Sequence, residues 1–185
     1  MALMRKLIFS MSVSLDGYVA GPGDDINWTV PSEELHQFHN DRVKELGAHL
    51  LGRRLYETMV YWESEDPTWG PVEHEFAEIW RALPKVVYST KLDSVEGNAR
   101  LAREVDAEEI AAMKREPGKD IEVGGAGLAA TLTRLGLIDD YRLFVVPIVL
   151  GAGTPYFPAL EDRVPLKLVE TRTFGEVVYL RYQLA

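Results

Sequence analysis

The chain has 185 residues, no cysteine and a formal net charge of −9, from 20 Lys and Arg against 29 Asp and Glu. The missing cysteines exclude disulfides, thiolate zinc sites and a cysteine nucleophile. The acidic balance argues against general binding to nucleic acid or anionic membranes, because both need a basic surface. No apolar stretch reaches the roughly 20 residues of a membrane span. We expect a single domain over residues 1–185. We also expect a cytoplasmic location, because serines and Asp16 interrupt the apolar start, which is more typical of a strand than of a signal peptide.

The first two thirds of the chain alternate strand-like and helix-like segments. An apolar strand over 6–15 leads into turns and a helix that begins near Pro31 and is expected to end at Gly47. The next predicted elements are a strand at 48–51, a helix at 73–83, a strand at 85–89, a helix at 106–114, a strand at 121–123 and a helix at 128–135.

The last third contains strands without helices, at 141–150, 166–174 and 177–183. Alternating strands and helices predict an α/β fold with a mixed, mostly parallel sheet and helices on both faces, and the final strands predict an antiparallel C-terminal edge. Ligands of such sheets lie beyond the carboxyl ends of the parallel strands.

Three segments follow strands at that edge, and their residue types suit an oxygen-rich anion. Arginines match phosphate oxygens in pairs, hydroxyls and an ammonium hold a second such group, and glycines let backbone N–H groups approach a pyrophosphate. The alternatives are solvated arginines, a strand-ending turn and a tight strand-to-helix turn, and neither common phosphate-loop motif is present. The segments are Gly52-Arg53-Arg54, Ser89-Thr90-Lys91 and Gly124-Gly125-Ala126-Gly127.

Two carboxylates are candidates for catalysis. Glu33 follows Trp28 and Pro31 on the first turn of a predicted helix, where apolar neighbours raise a carboxyl pKa. The alternative is simple compensation of the helix dipole. Asp16 either contacts substrate or only forms an Asp-Gly turn. The four histidines lack metal-ligand spacing, so we expect no metal site.

In this order, five segments resemble the dihydrofolate reductase superfamily, and the resemblance covers nearly the whole chain. The nearest branch is the stand-alone relatives of the riboflavin-biosynthesis pyrimidine reductase domain. The resemblance implies a three-layer dihydrofolate reductase-like fold. The segments are SVSLDGYVAG, GRRLYE, VVYSTKL, VGGAGLAATLTRLGLIDDYRLFVVPIVLGAG and VVYLRYQL.

The resemblance also implies an NADPH site. Arg53 matches the basic residue that faces the adenosine 2′-phosphate, and Ser89 and Thr90 match a pair at the same end. The double glycine matches the pair beside the pyrophosphate, where dihydrofolate reductases have a cis peptide bond, so we expect one here. Leu55 stands where a Thr commonly follows the basic pair. The matched glycine segment comprises Gly124, Gly125, Ala126, Gly127 and Leu128.

The stretch NWTVPSEEL resembles the segment that carries the catalytic carboxylate of dihydrofolate reductases. Glu33 falls on that position, which implies that it supports protonation of a ring nitrogen, with Trp28 in the substrate pocket. The riboflavin branch does not reliably keep this carboxylate.

We therefore expect an NADPH-dependent reductase of a pyrimidine- or pterin-like small molecule, similar to 5-amino-6-(5-phosphoribosylamino)uracil reductase. True dihydrofolate reduction and a nucleotide-binding protein without turnover are the alternatives. The chain lacks the P-C-x-x-C motif of the zinc deaminase to which such reductase domains are often fused. The long apolar strand at 141–150 and the dimers of related proteins lead us to expect a homodimer.

Overall fold

In the computed structural model, which describes residues 4–185, an eight-stranded sheet carries helices on both faces. The strands are β1 (Leu7–Ser14), β2 (Tyr18–Ala20), β3 (Leu46–Gly52), β4 (Lys85–Tyr88), β5 (Ala99–Ala102), β6 (Asp120–Gly124), β7 (Asp140–Val146), β8 (Thr154–Pro155), β9 (Leu166–Phe174) and β10 (Val177–Leu184). The helices are α1 (Glu33–Val43), α2 (Arg53–Met59), α3 (Pro71–Ala82), α4 (Ala107–Arg115) and α5 (Ala126–Arg134).

The strand order in the large sheet is β5-β4-β3-β6-β1-β7-β10-β9, and β2 pairs with β8 in a separate two-stranded sheet. The six strands from β5 to β7 are parallel, whereas β10 is antiparallel to both of its neighbours, β7 and β9. The predicted fold class is thus confirmed. The sheet places the carboxyl ends of β3, β4 and β6 at one edge, where the chain turns into α2, a loop and α5.

Alternating residues of the parallel strands build a core on each face of the sheet. On one face, Leu7, Leu50 and Ile121 are fully buried beneath α4 and α5. On the other face, Trp80 of α3 is fully buried and packs with Leu51 and its neighbours. Burial of these side chains supplies the main driving force for folding.

The predicted helix end at Gly47 was wrong, because α1 ends at Val43 and Gly47 lies within β3. A Cβ atom at this position would come within 2.8 Å of the Arg5 guanidinium and 2.9 Å of the Lys119 carbonyl oxygen. The glycine is therefore required by a close approach inside the sheet rather than by a helix terminus.

The strand predicted at 141–150 also ends early, at Val146, and it does not form an edge. It pairs with β1 on one side and β10 on the other, so it leaves no unpaired side for a partner chain. The edges of the large sheet are β5 and β9. Within residues 4–185, no helix is long and apolar enough to cross a bilayer. The expected cytoplasmic location stays a prediction.

Candidate functional site

A groove with a volume of about 540 Å³ lies where β3 and β6 end. Gly52 ends β3 and precedes α2, while Gly125 connects β6 to α5, so two strand-to-helix turns meet at the groove. This is the edge at which parallel sheets bind their ligands. Residues that the sequence predicted to bind the cofactor line this groove: Gly52, Arg53, Arg54, Gly125, Ala126, Gly127 and Leu128.

The glycine turn at the groove has a backbone that only glycine adopts easily. Gly125 has φ of +99°, and a Cβ atom there would lie 3.6 Å from the backbone nitrogen of Gly52. A Cβ atom at Gly124 would overlap the Leu55 side chain. The peptide bond between the two glycines is trans, so the expected cis bond was wrong; the positive φ of Gly125 makes the turn instead.

The first turn of α5 presents free donors to the groove. Among the residues that the structure describes, no side chain caps this helix, in contrast to α1 and α4, which Ser32 and Asp106 cap. The first backbone N–H groups of a helix have no partner within it, and they carry partial positive charge. The groove therefore fits an anionic group such as a pyrophosphate at Gly125–Gly127.

Two arginines bring positive charge to the groove of an otherwise acidic protein. The Nη1 atom of Arg53 donates to Glu57 at 2.8 Å, and that of Arg54 donates to Asp24 at 2.9 Å. Exposed pairs of this kind contribute at most about 1 kcal/mol, so an anionic ligand competes readily for the guanidinium groups. Leu55 supplies no hydroxyl here, and its side chain instead forms part of the groove wall.

The segment at the end of β4 lies beside the groove rather than in its wall. Tyr88 lines the groove, and Ser89, Thr90 and Lys91 follow it directly. The Ser89 hydroxyl accepts hydrogen bonds from the backbone N–H groups of Lys91 and Leu92, both at 3.1 Å. That hydroxyl holds the turn, so a role in cofactor binding stays a prediction.

A second cavity, of about 350 Å³, opens beside the groove and shares Met11, Val19 and Leu55 with it. Its wall contains four large aromatic side chains: Trp62, Phe76, Trp80 and Phe144. Its ionisable side chains are three histidines and one carboxyl group: His36, His39, His49 and Glu122. We call this the aromatic cavity. It has the size and character of a small-molecule site.

The carboxyl group in the aromatic cavity belongs to Glu122, which sequence reasoning missed. Glu122 and His49 are paired across β6 and β3, and their Oε1 and Nε2 atoms are 3.5 Å apart. Only 14% of the Glu122 side chain and 8% of the His49 side chain are exposed. Within residues 4–185, neither ring nitrogen of His49 has a hydrogen-bond partner.

Burial changes the charge state of both groups. It raises the pKa of Glu122 to about 7, although Arg142 and Arg42 partly oppose this shift. Burial lowers the pKa of His49 to about 3, and Lys85 adds to that effect. At neutral pH the imidazole is therefore neutral and the carboxyl is poised between its two forms. A perturbed carboxyl in a concave, apolar site is a candidate for proton transfer.

The two histidines of α1 reach the same cavity, as their spacing of three residues predicts. Burial lowers the pKa of His39 to about 4, and its ring centroid is 4.4 Å from that of Phe144. Burial also lowers the pKa of His36. Both rings are neutral at pH 7. In residues 4–185, no group of three or more His, Cys, Asp or Glu side chains is arranged to hold a metal ion.

The carboxylates predicted for catalysis lie elsewhere. Glu33 is exposed on the first turn of α1 and faces a different surface groove, beside Gln37 and Phe174. Asp16 accepts hydrogen bonds from Ser14 and from the backbone of Leu150 and Gly151, and the Ser14 bond leads the causes that lower its pKa to about 2. Asp16 therefore stabilises the loop at Leu150 and Gly151, and it lines neither the groove nor the aromatic cavity.

Trp28 is not in the wall of the aromatic cavity, although Ile26 and Thr29 on either side of it are. Its indole N–H donates to the Asp25 carbonyl at 3.0 Å, which stabilises the loop itself. The loop before α1 therefore lines the cavity with Ile26 and Thr29, and not with Trp28, which the sequence predicted.

Comparison with known proteins identifies relatives along the whole chain. A family model described as the RibD C-terminal domain matches residues 5–180. The uncharacterized protein YyaP of Bacillus subtilis is 32% identical over 177 residues, which is 94% of this chain and 92% of that protein.

Two solved structures share the fold. The first is a diaminohydroxyphosphoribosylaminopyrimidine deaminase/5-amino-6-(5-phosphoribosylamino)uracil reductase of Thermotoga maritima, with a TM-score of 0.70 and 15% identity; the match covers 98% of this chain and 57% of that one. The second is a dihydrofolate reductase of Enterococcus faecalis complexed with NADP(H) and RAB-propyl, with a TM-score of 0.61 and 17% identity, covering 100% of this chain and 99% of that one.

Proposed function

Because this chain belongs to the RibD C-terminal domain family, we propose that it is an NADPH-dependent reductase of a pyrimidine- or pterin-like ring. One observation carries the proposal: an anion-suited groove at the strand ends shares a wall with an apolar, aromatic cavity. A dinucleotide cofactor suits the anion-binding groove, and a flat heterocyclic substrate suits the aromatic cavity. The shared wall brings the two ligands into contact.

The groove residues fit the cofactor's charges. The uncapped start of α5 and the glycine turn before it suit the pyrophosphate, and the Arg53 guanidinium suits the 2′-phosphate that distinguishes NADPH from NADH. When bound, NADPH supplies the hydride. The protein's own work is to orient the two ligands, to exclude water with its aromatic wall and to hold a proton near the ring that is reduced.

Titration with NADPH, followed by the change in cofactor fluorescence, tests the cofactor site. We expect saturable binding in the micromolar range, and no binding up to the millimolar range would refute the proposal. Loss of NADPH absorbance on addition of an aminouracil or pteridine tests turnover. Tight cofactor binding without oxidation, against every such heterocycle, would instead favour the alternative of a binding protein without turnover.

A homodimer also remains our proposal, now on different grounds. The edge strand β9 exposes about half of the side chains of Leu168 and Val169. An exposed apolar edge strand favours pairing with another chain. Light scattering at micromolar concentration should give the mass of two chains, and Leu168→Lys should shift it toward one. A wild-type mass of one chain would overturn the proposal.

A further inference from the structure

The aromatic cavity holds no permanent positive charge. Within the described residues 4–185, its wall includes no lysine and no arginine. Its three histidines are neutral at pH 7, because burial lowers the pKa of each of them. A dianionic phosphate buried among Trp62 and Trp80 would have no cationic partner in the wall, and a buried charge without a counter-charge is strongly unfavourable.

Three cations act on the ionisable groups of the cavity from outside its wall: Lys85 acts on His49, and Arg142 and Arg42 act on Glu122. The Nζ atom of Lys85 donates to the carbonyl oxygens of Trp80, at 2.5 Å, and Leu83, at 2.8 Å. The Nε atom of Arg142 donates to Asp140 at 3.0 Å. Lys85, Arg142 and Arg42 all lie outside the wall of the aromatic cavity. A phosphate inside the cavity would therefore make no direct contact with these cations.

The Glu122 carboxyl is the acidic side chain of the cavity wall, beside the hydroxyl groups of Ser10, Ser12, Thr29 and Thr58. Within residues 4–185, the Nε2 atom of His49 lies 3.5 Å from this carboxyl and has no hydrogen-bond partner, and no hydrogen bond is among the causes that shift the pKa of Glu122. A carboxyl that points into an apolar cavity without a partner is suited to a ligand nitrogen: it donates its proton in the acid form. It lies on β6, two residues before the glycine turn of the groove.

We propose that the aromatic cavity takes an uncharged, unphosphorylated nitrogen heteroaromatic ring, of the pyrimidine or pteridine class, and that Glu122 gives the proton to its ring nitrogen. This inference rests on the proposed reductase function. In the reaction, the carbon of a C=N bond gains the hydride and the nitrogen gains the Glu122 proton. NADPH becomes NADP⁺, and the carboxylate then regains a proton from water.

Several charged groups act on Glu122 and shape its titration. His49 on β3 lies 3.5 Å from it, and the charges of Arg142 and Asp140 on β7 and of Arg42 on α1 act on it over longer distances. The paired residue on β1 is Ile8, which carries no charge. Because His49 stays neutral above about pH 3, its charge does not change in the range where Glu122 titrates.

Ligand binding to the protein saturated with NADP⁺ tests the substrate class, because the oxidised cofactor occupies the anion-suited groove beside the cavity. The probes are a 5-amino-6-ribosylaminouracil and its 5′-phosphate, compared by titration calorimetry at pH 6. We expect the unphosphorylated compound to bind at least ten-fold more tightly, because only the phosphate ester buries an unpaired charge. Equal or tighter binding of the phosphate ester, or no binding of either compound, would overturn the inference.

The pH profile of binding tests Glu122 itself. Affinity for the unphosphorylated compound should fall about ten-fold between pH 6 and pH 8, as the carboxyl loses the proton that it donates. Glu122→Gln should abolish this dependence, whereas Glu34→Gln, an exposed change on α1, should keep it. An unchanged profile in Glu122→Gln would refute the role of Glu122.

Two further measurements separate possible failures. The comparison of the two uracil compounds uses only the wild-type chain, so it stands even if the Gln variant folds poorly. NADPH titration reports on the groove, where Glu122 has no part. Normal NADPH binding with failure of both tests above would overturn the inference alone, whereas absent NADPH binding would overturn the reductase function.

Discussion

Replacing Glu122 with glutamine should change how the stability of the protein depends on pH. In the folded protein, burial raises the pKa of Glu122 from its ordinary value of 4.5 to about 7, so the folded state binds this proton more tightly than the unfolded chain does. The resulting stabilisation is complete below pH 4.5 and is lost as the pH rises through 7. A glutamine does not titrate, so the variant does not share this loss.

The expected size of the effect follows from the two pKa values. Each pH unit between them corresponds to about 1.36 kcal/mol, which gives about 3 kcal/mol in total. Between pH 5 and pH 8, wild type should therefore lose about 2.5 kcal/mol of unfolding free energy relative to Glu122→Gln. His49 does not disturb the comparison, because it is neutral in the folded protein at both pH values and titrates alike in both unfolded chains.

Urea unfolding at pH 5, 6, 7 and 8 measures this difference, with the unfolding free energy obtained by linear extrapolation. The matched control is Glu34→Gln, the same change at an exposed position of α1 that lines neither the groove nor the aromatic cavity. The reasoning about Glu122 would be refuted if the curves for wild type and Glu122→Gln ran parallel over this range.

The remaining predictions concern the groove and Glu33, the carboxylate that lies outside both the groove and the aromatic cavity. Arg53→Gln should weaken NADPH binding about ten-fold and leave NADH binding unchanged, because only NADPH carries the 2′-phosphate; equal losses in fluorescence titrations would contradict this. Gly125→Ala should cost about 1–3 kcal/mol in urea unfolding, because of its φ of +99°, and should also weaken NADPH binding. Gly175→Ala, at another positive φ but in the β9–β10 turn, should destabilise without changing NADPH affinity, and equal affinities in the two variants would refute a role for the glycine turn. Glu33→Gln should change the turnover number less than two-fold, and a large loss in steady-state kinetics would restore Glu33 to the mechanism.

Local patterns in the sequence predicted most of the sheet and the groove. The apolar runs that became β4 and β7 and the periodic helix that became α3 depend on near neighbours along the chain. The sequence predicted the turn at Gly125, because consecutive glycines between a strand and a helix are typical of a turn. The positive φ at this position gives that pattern its physical reason.

The proton-handling residue could not be predicted in the same way. Glu122 and His49 are far apart in the chain and become neighbours only through the register of β3 against β6. A signal exists in retrospect: His49 and Glu122 each stand directly between two apolar residues of a strand, and one face of each strand had to bury them. The resemblance pointed instead to Glu33, but the start of α1 exposes that residue and turns His36 and His39 toward the cavity.

A crystal structure with NADPH bound tests the central claim most directly. We predict the 2′-phosphate beside Arg53, the pyrophosphate at Gly125–Gly127 and the nicotinamide ring at the wall shared by the groove and the aromatic cavity, next to Met11 and Leu55. Cofactor density on another surface, or a nicotinamide ring that has no contact with the aromatic cavity, would contradict the account.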